Sequence, residues 1–272
     1  NLLARPSLPS GQLHVAHLEL ARDYISAGLL DRAERLLQDL VAESGQHQRV
    51  ARRHLLEIYE AQSDWDTARE IAEKLLPKRS LLKTAKVSAA TEVGQPVTVL
   101  LAHYCCEQAG GVIEKSDYGA GRKLLFQALK YDSNCVRATL MLGALEVKAG
   151  EPARAVKVLQ AVVEQEPDFV PETVELLREA LTQLGQRDKL LHYLTGCFQS
   201  HPSTALVLAI AEELHATEGA DSAKNFLRSK LRDRPTLRGL SMLMGMHNDV
   251  EAGDDEALQI DTIQRLVEAR SS

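Results

Sequence analysis

Residues 103–106 read His-Tyr-Cys-Cys, and His103 and Cys106 stand three apart, the spacing that brings two ligands onto one helix turn. A zinc site wants three or four convergent ligands with further groups to orient them, and this segment supplies two. His14 and His17 have the same spacing and the same shortfall. The glycine-rich stretch "AGGVIEKSDYGAG", residues 109–121, lacks the preceding strand and the lysine of a phosphate-binding loop. Its glycines suit helix packing and a turn instead. No serine, cysteine or histidine sits in an elbow or signature that joins a nucleophile to a base and an orienting group. The chain therefore reads as a non-enzyme without a cofactor of its own.

Charge is what remains on offer. Glu172, Glu175 and Glu179 fall on one stripe if their segment is helical, and three like charges there suit either a solvated face or a basic partner segment. The chain has 272 residues, 44% hydrophobic and 26% charged, as in an ordinary folded protein. A net charge of −6 and only 4% aromatic residues argue against nucleic acid, which favours a basic face and stacking platforms. Cys105, Cys106, Cys135 and Cys197 form no C-x-x-C, and two adjacent cysteines cannot easily pair. They read as free, reduced thiols of a cytosolic protein.

The elements that carry these residues repeat. "LARDYISAGLLDRAERLLQDLV" (20–41) aligns with "LLEIYEAQSDWDTAREIAEKLL" (55–76), placing Tyr24 on Tyr59 and Ala33 on Ala68. Further copies put small residues at Ala109, Gly143 and Ala211 in the first helix, and at Gly121, Ala155 and Ala223 in the second. Gly28, Gly150 and Gly185 fall at the turn between the two, and Pro167, Pro202 and Pro235 close units. Six units fit a period of about 34 residues. One interval, Ala68 to Gly121, is longer by about nineteen residues.

These features resemble the tetratricopeptide repeat, a helix-turn-helix unit. The expected fold is all-α, a right-handed superhelical solenoid in which each hairpin covers its neighbour's apolar face. Residues 1–12 read as a remnant of a preceding repeat, 13–76 as repeats 1–2, and 77–96 as a basic connector carrying Lys78, Arg79, Lys83 and Lys86. Residues 97–235 hold repeats 3–6, and 236–272 a capping helix pair. The resemblance also implies a partner-binding groove along the first helices. Its candidates here are Arg22, Ile25, Ser26, Arg53, Glu57, Glu60, Arg137, Lys148, Glu172, Glu175, Glu179 and Glu212. Such mixed charge suits a protein partner better than a small apolar ligand.

"LARDYISAGLLDRAE", "LLEIYEAQSDWDTAREIAEKL", "LMLGALEVKAGEPARAVKVLQ" and "RDRPTLRGL", with the long interval after the second unit, resemble the lipopolysaccharide assembly protein B family of Gram-negative bacteria. That resemblance implies an adaptor at the cytoplasmic face of the inner membrane, held by an N-terminal anchor helix that is missing here. Its implied partners are the deacetylase committing precursors to lipid A, the membrane protease FtsH that degrades it, and an inner-membrane lipopolysaccharide sensor. It further implies a C-terminal rubredoxin-like module with iron or zinc on two C-x-x-C pairs. None of the four cysteines stands in such a pair, so no metal is expected in this chain. A generic repeat scaffold or co-chaperone, or the helper array of a redox or metal module outside the chain, are the alternative readings.

Overall fold

The computed structural model describes residues 10–43, 47–76, 96–246 and 260–265. Among them there is no strand, and the chain is a succession of helical hairpins. It divides into two compact units, residues 1–138 and 139–272.

In the first unit α1 (Ser10–Ser26) pairs with α2 (Leu30–Ala42), α3 (Gln48–Ala61) with α4 (Trp65–Leu75), and α5 (Val97–Glu114) with α6 (Tyr118–Tyr131). The small positions expected at the seams are closed to solvent: Ala21, Ala33, Ala68 and Ala109 are all 0% exposed. Leu37, Leu55, Ile58, Leu75 and Leu101 fill the space that these close approaches leave. The expected basic connector, residues 77–96, lies outside the described residues apart from Pro96, as do residues 1–9 of the expected remnant.

The second unit contains most of α7 (Val136–Lys148), then α8 (Pro152–Gln160), α9 (Val162–Gln165) and a 3-10 segment, Pro167–Thr173. These are followed by α10 (Val174–Gln183), α11 (Asp188–Ser200), α12 (Thr204–Glu218), α13 (Ala220–Asp233) and α14 (Leu237–Gly245). Sequence spacing places one closing proline at 167 with a helix directly after it. Instead Pro167 and Pro171 hold a 3-10 stretch, because two prolines four apart remove two amide donors from what would be the first turns. The expected capping pair begins with α14, and residues 247–259 and 266–272 lie outside the described residues.

Five of the described hairpins turn the same way. The amides of Leu29, Asp64, Asp117, Glu151 and Gln186 bond to the carbonyls of Tyr24, Tyr59, Val112, Glu146 and Leu181, at 2.8–3.0 Å. This closing bond requires a left-handed residue just before it. Gly28, Gly150 and Gly185 take that conformation, with φ of 72°, 74° and 66°. In the second and third hairpins a serine does so instead, Ser63 at φ 57° and Ser116 at φ 63°. The repeat is thus more regular than its glycines, and Ser63 and Ser116 are the turn residues that composition hides.

A side chain at positive φ costs about 1 kcal/mol relative to glycine. Ser63→Gly is expected to raise stability by about that amount and Gly150→Ala to lower it similarly. A Cβ on Gly150 would meet no atom within 4 Å, so the backbone alone carries the effect. Urea unfolding midpoints of the two variants, moving in opposite directions, are the check.

Candidate protein-binding surface

The residues proposed for a groove lie on or beside first helices, and most reach water. In α1, Arg22 is exposed and ion-paired with Glu19 at 3.2 Å, and Ser26 is exposed. Ile25 is different: it packs half-buried on the core beside Tyr24, so it serves the hairpin more than a partner. Arg53 is half-buried, and Glu57 is exposed and accepts from His54 Nδ1 at 3.2 Å. Glu60 is engaged by the hydroxyl of Tyr104 on α5. Arg137 donates to Glu107 at 2.7 Å, and Lys148 ends α7 in solvent.

In the second unit the acidic stripe is only partly helical. Glu175 and Glu179 share a face of α10, but Glu172 sits in the 3-10 segment before it, where its spacing no longer follows a helix. All three are exposed; Glu175 pairs with Arg178, and Glu179 accepts from Gln183 at 3.4 Å. A contact of an exposed side chain such as Glu179 contributes about 0–1 kcal/mol, so a partner can take over that charge at little cost to the fold, whereas Glu175 shares Arg178 with a buried carboxylate. Glu212 is also exposed on α12.

The buried ion group lies one residue further on. Glu213 is completely enclosed and accepts from Arg178 Nε at 3.0 Å and Arg187 Nε at 3.2 Å. Arg178 occupies the register at which Ala21, Ala109 and Gly143 stand in other hairpins, seven residues before the left-handed turn position. A charged residue in a slot that elsewhere holds alanine or glycine was the available signal, and its partner lies one repeat later in α12.

Three tyrosine–glutamate bonds in the first unit also escape a motif search. Tyr59 donates to Glu34 at 2.7 Å, Tyr104 to Glu60, and Tyr131 to Glu73 at 2.9 Å, each joining one helix to another. Burial first, and the glutamate second, push all three hydroxyls above the ordinary tyrosine range, so they remain donors.

All four cysteines are free and buried. Cys106 on α5 and Cys135, just before α7, hydrogen-bond to each other. That bond, with help from the Ala138 amide, draws the Cys135 thiol below its ordinary value, while the same bond and burial push Cys106 up. Among the described residues no group of three or more His, Cys, Asp or Glu side chains converges as metal ligands. The described residues do not fit a rubredoxin-like metal, which needs two C-x-x-C pairs. Among the described residues no helix is long and apolar enough to cross a membrane.

Paired helices of this length, packed through small residues and closed by a repeated left-handed turn, define a tetratricopeptide-repeat protein. The tetratricopeptide repeat family pattern matches residues 18–81 and 112–180. Within that class the chain is a homologue of lipopolysaccharide assembly protein B. It is 31% identical over 253 residues to the protein of that name from Escherichia coli strain K12, covering 93% of this chain and 61% of that protein. It is also 31% identical over 231 residues to the one from Haemophilus influenzae, covering 85% of this chain and 54% of the relative. The chain thus spans less than two thirds of the length of these curated relatives. Among solved structures it is similar to the crystal structure of MamA protein, with a TM-score of 0.43, 15% identity, and coverage of 76% of this chain and 95% of that one.

Proposed function

We propose that this chain is the repeat array of a non-enzymatic adaptor in lipopolysaccharide biosynthesis. It binds the deacetylase that commits precursors to lipid A and promotes its proteolysis by the membrane protease FtsH. The place of action is the cytoplasmic face of the inner membrane, where a membrane-bound lipopolysaccharide sensor restrains it. The observation that carries this reading is the similarity, over 93% of the chain, to proteins named lipopolysaccharide assembly protein B.

The physical mechanism is tethering. An array that holds the deacetylase while its membrane-attached remainder sits near the protease turns a bimolecular encounter into a local one, at an effective concentration set by the linkage. The exposed faces supply what such a grip needs: Arg22, Glu57, Glu175, Glu179 and Glu212 are exposed, and rigid helices present them. Interfaces of this sort gain specificity and association rate from charge complementarity.

Pull-down of the deacetylase by this chain tests the reading, with Glu172→Lys, Glu175→Lys, Glu179→Lys as the comparison. The triple variant is expected to retain about tenfold less, since reversing exposed interface charges turns attraction into repulsion. Equal retention removes the acidic residues from the interface. A deacetylase half-life that stays unchanged when the protein is depleted from cells sinks the adaptor reading and leaves a generic scaffold.

A further inference from the structure

The second unit holds a recess unlike the helix faces. A cavity of about 460 Å³ opens where the ends of α11 and α13 meet the starts of α12 and α14. Its apolar lining is Phe198, Val207, Leu227 and Leu231, the last two nearly or wholly closed to solvent. The hydroxyls of Ser203 and Thr236, also in the lining, are spent capping α12 and α14 through the amides of Leu206 and Gly239, each at 3.2 Å.

The free polar chemistry is cationic. Lys230 and Arg234 line the recess, and among the described residues neither forms an ion pair. Lys230 Nζ sits 5.0 Å from the centre of the Phe198 ring and 5.6 Å from that of Phe226, which holds the ammonium in place without neutralising it. Asp233 is the one carboxylate in the lining. In a chain of net charge −6 this is a locally basic pocket with a greasy floor. Leu237, in the first turn of α14 just after the lining residue Thr236, is 66% exposed and extends the apolar surface outward.

We infer that this recess is a docking site for an extended segment of a partner protein in which a large apolar side chain adjoins an aspartate or glutamate. The apolar side chain enters beside Phe198 and Val207, over the floor closed by Leu227 and Leu231, and the carboxylate meets Lys230 and Arg234. The volume suits one or two side chains, within the range of small-ligand pockets, and the exposed Leu237 gives a continuing chain a second contact. Charge decides the occupant: Lys230 is half-buried and Arg234 exposed, so a basic segment meets two cations that repel it, whereas an acidic one makes charge-assisted bonds. The site is separate from the acidic residues tested above and does not depend on the identity of the deacetylase.

The test uses this chain and a fluorescein-labelled heptapeptide with a central Phe-Asp step in a Gly/Ser background, alongside Phe-Lys and Ala-Asp counterparts. Anisotropy titration is expected to show saturable binding of the Phe-Asp peptide, and at least about tenfold weaker binding of the other two. Lys230→Glu with Arg234→Glu is expected to weaken the Phe-Asp peptide by at least about tenfold, while Arg232→Glu, a single charge reversal on the same helix outside the lining, leaves it within about twofold. Lys230→Gln with Arg234→Gln repeats the test without introducing repulsion, and thermal melts confirm that each variant is folded. Three results overturn the proposal: no binding of the Phe-Asp peptide at millimolar concentration, equal loss with Arg232→Glu, or decanoate binding at Lys230 and Arg234 while the peptide does not. Because no deacetylase enters the assay, its failure leaves the adaptor reading standing, and the reverse also holds.

Discussion

Glu213→Ala lowers the stability of the second unit by about 3 kcal/mol, while Glu212→Ala beside it changes stability by less than about 0.5 kcal/mol. The two residues differ in surroundings, not in chemistry. Glu213 is enclosed, and each of its oxygens takes one arginine, Arg178 from α10 and Arg187 from the turn before α11. Removing a buried carboxylate leaves its cations desolvated and unanswered, which is the expensive way to break such a group. The lower end of the usual range applies because Arg187 is 40% exposed and can turn to water, and Arg178 keeps Glu175. Urea unfolding of Glu212→Ala, Glu213→Ala, Arg178→Met and the double variant Glu213→Ala with Arg178→Met is the measurement. The double variant is expected to lose less than the two single losses together, since the cation left stranded by the first change is gone. Equal costs for Glu212→Ala and Glu213→Ala contradict the enclosed-carboxylate account.

That pair of neighbours also marks how far the sequence could be read. Packing positions were legible because small residues recur in register: Ala21, Ala33, Ala68, Ala109, Gly143, Ala155, Ala211 and Ala223 all lie in closed seams. Periodicity reports burial, since an apolar face has to be covered at every turn of the helix. It reports poorly on charge, whose partner is chosen by three-dimensional proximity. Counting along α12 gave Glu212 as the outward glutamate, and it is exposed, yet nothing local says that Glu213 is enclosed by arginines from two other elements. Ser63 and Ser116 were missed for a related reason. Glycine announces a left-handed turn, but a serine held there by the same closing hydrogen bond does not. Glu172 fell outside its helix because Pro171 precedes it, a local effect that the helical stripe ignored.

Gly143→Val is expected to cost about 3 kcal/mol, and combined with Leu159→Ala in the same chain to cost less than the two losses added. A Cβ built on Gly143 would lie 2.3 Å from Leu159 Cδ2 and 2.6 Å from its Cγ, well inside contact distance. Leu159 is itself fully buried in α8, so it has no open side to which it can retreat. Alanine at 143 gains helix propensity of about 1 kcal/mol over glycine and partly masks the clash. Valine adds two methyl groups and little propensity, which makes it the cleaner test. Leu159→Ala alone opens a cavity and costs about 2–5 kcal/mol. In combination the valine methyls fill part of that space, so the double variant should be more stable than the sum of the two losses predicts by at least about 1 kcal/mol. A strictly additive result means that α7 and α8 separate rather than repack. Separation of that hairpin also shifts where α7 presents Lys148, so the same pair of variants tests whether seam spacing governs partner binding. On the adaptor function proposed above, Gly143→Val then weakens retention of the deacetylase even at temperatures where the variant is folded, and Leu159→Ala added to it restores retention.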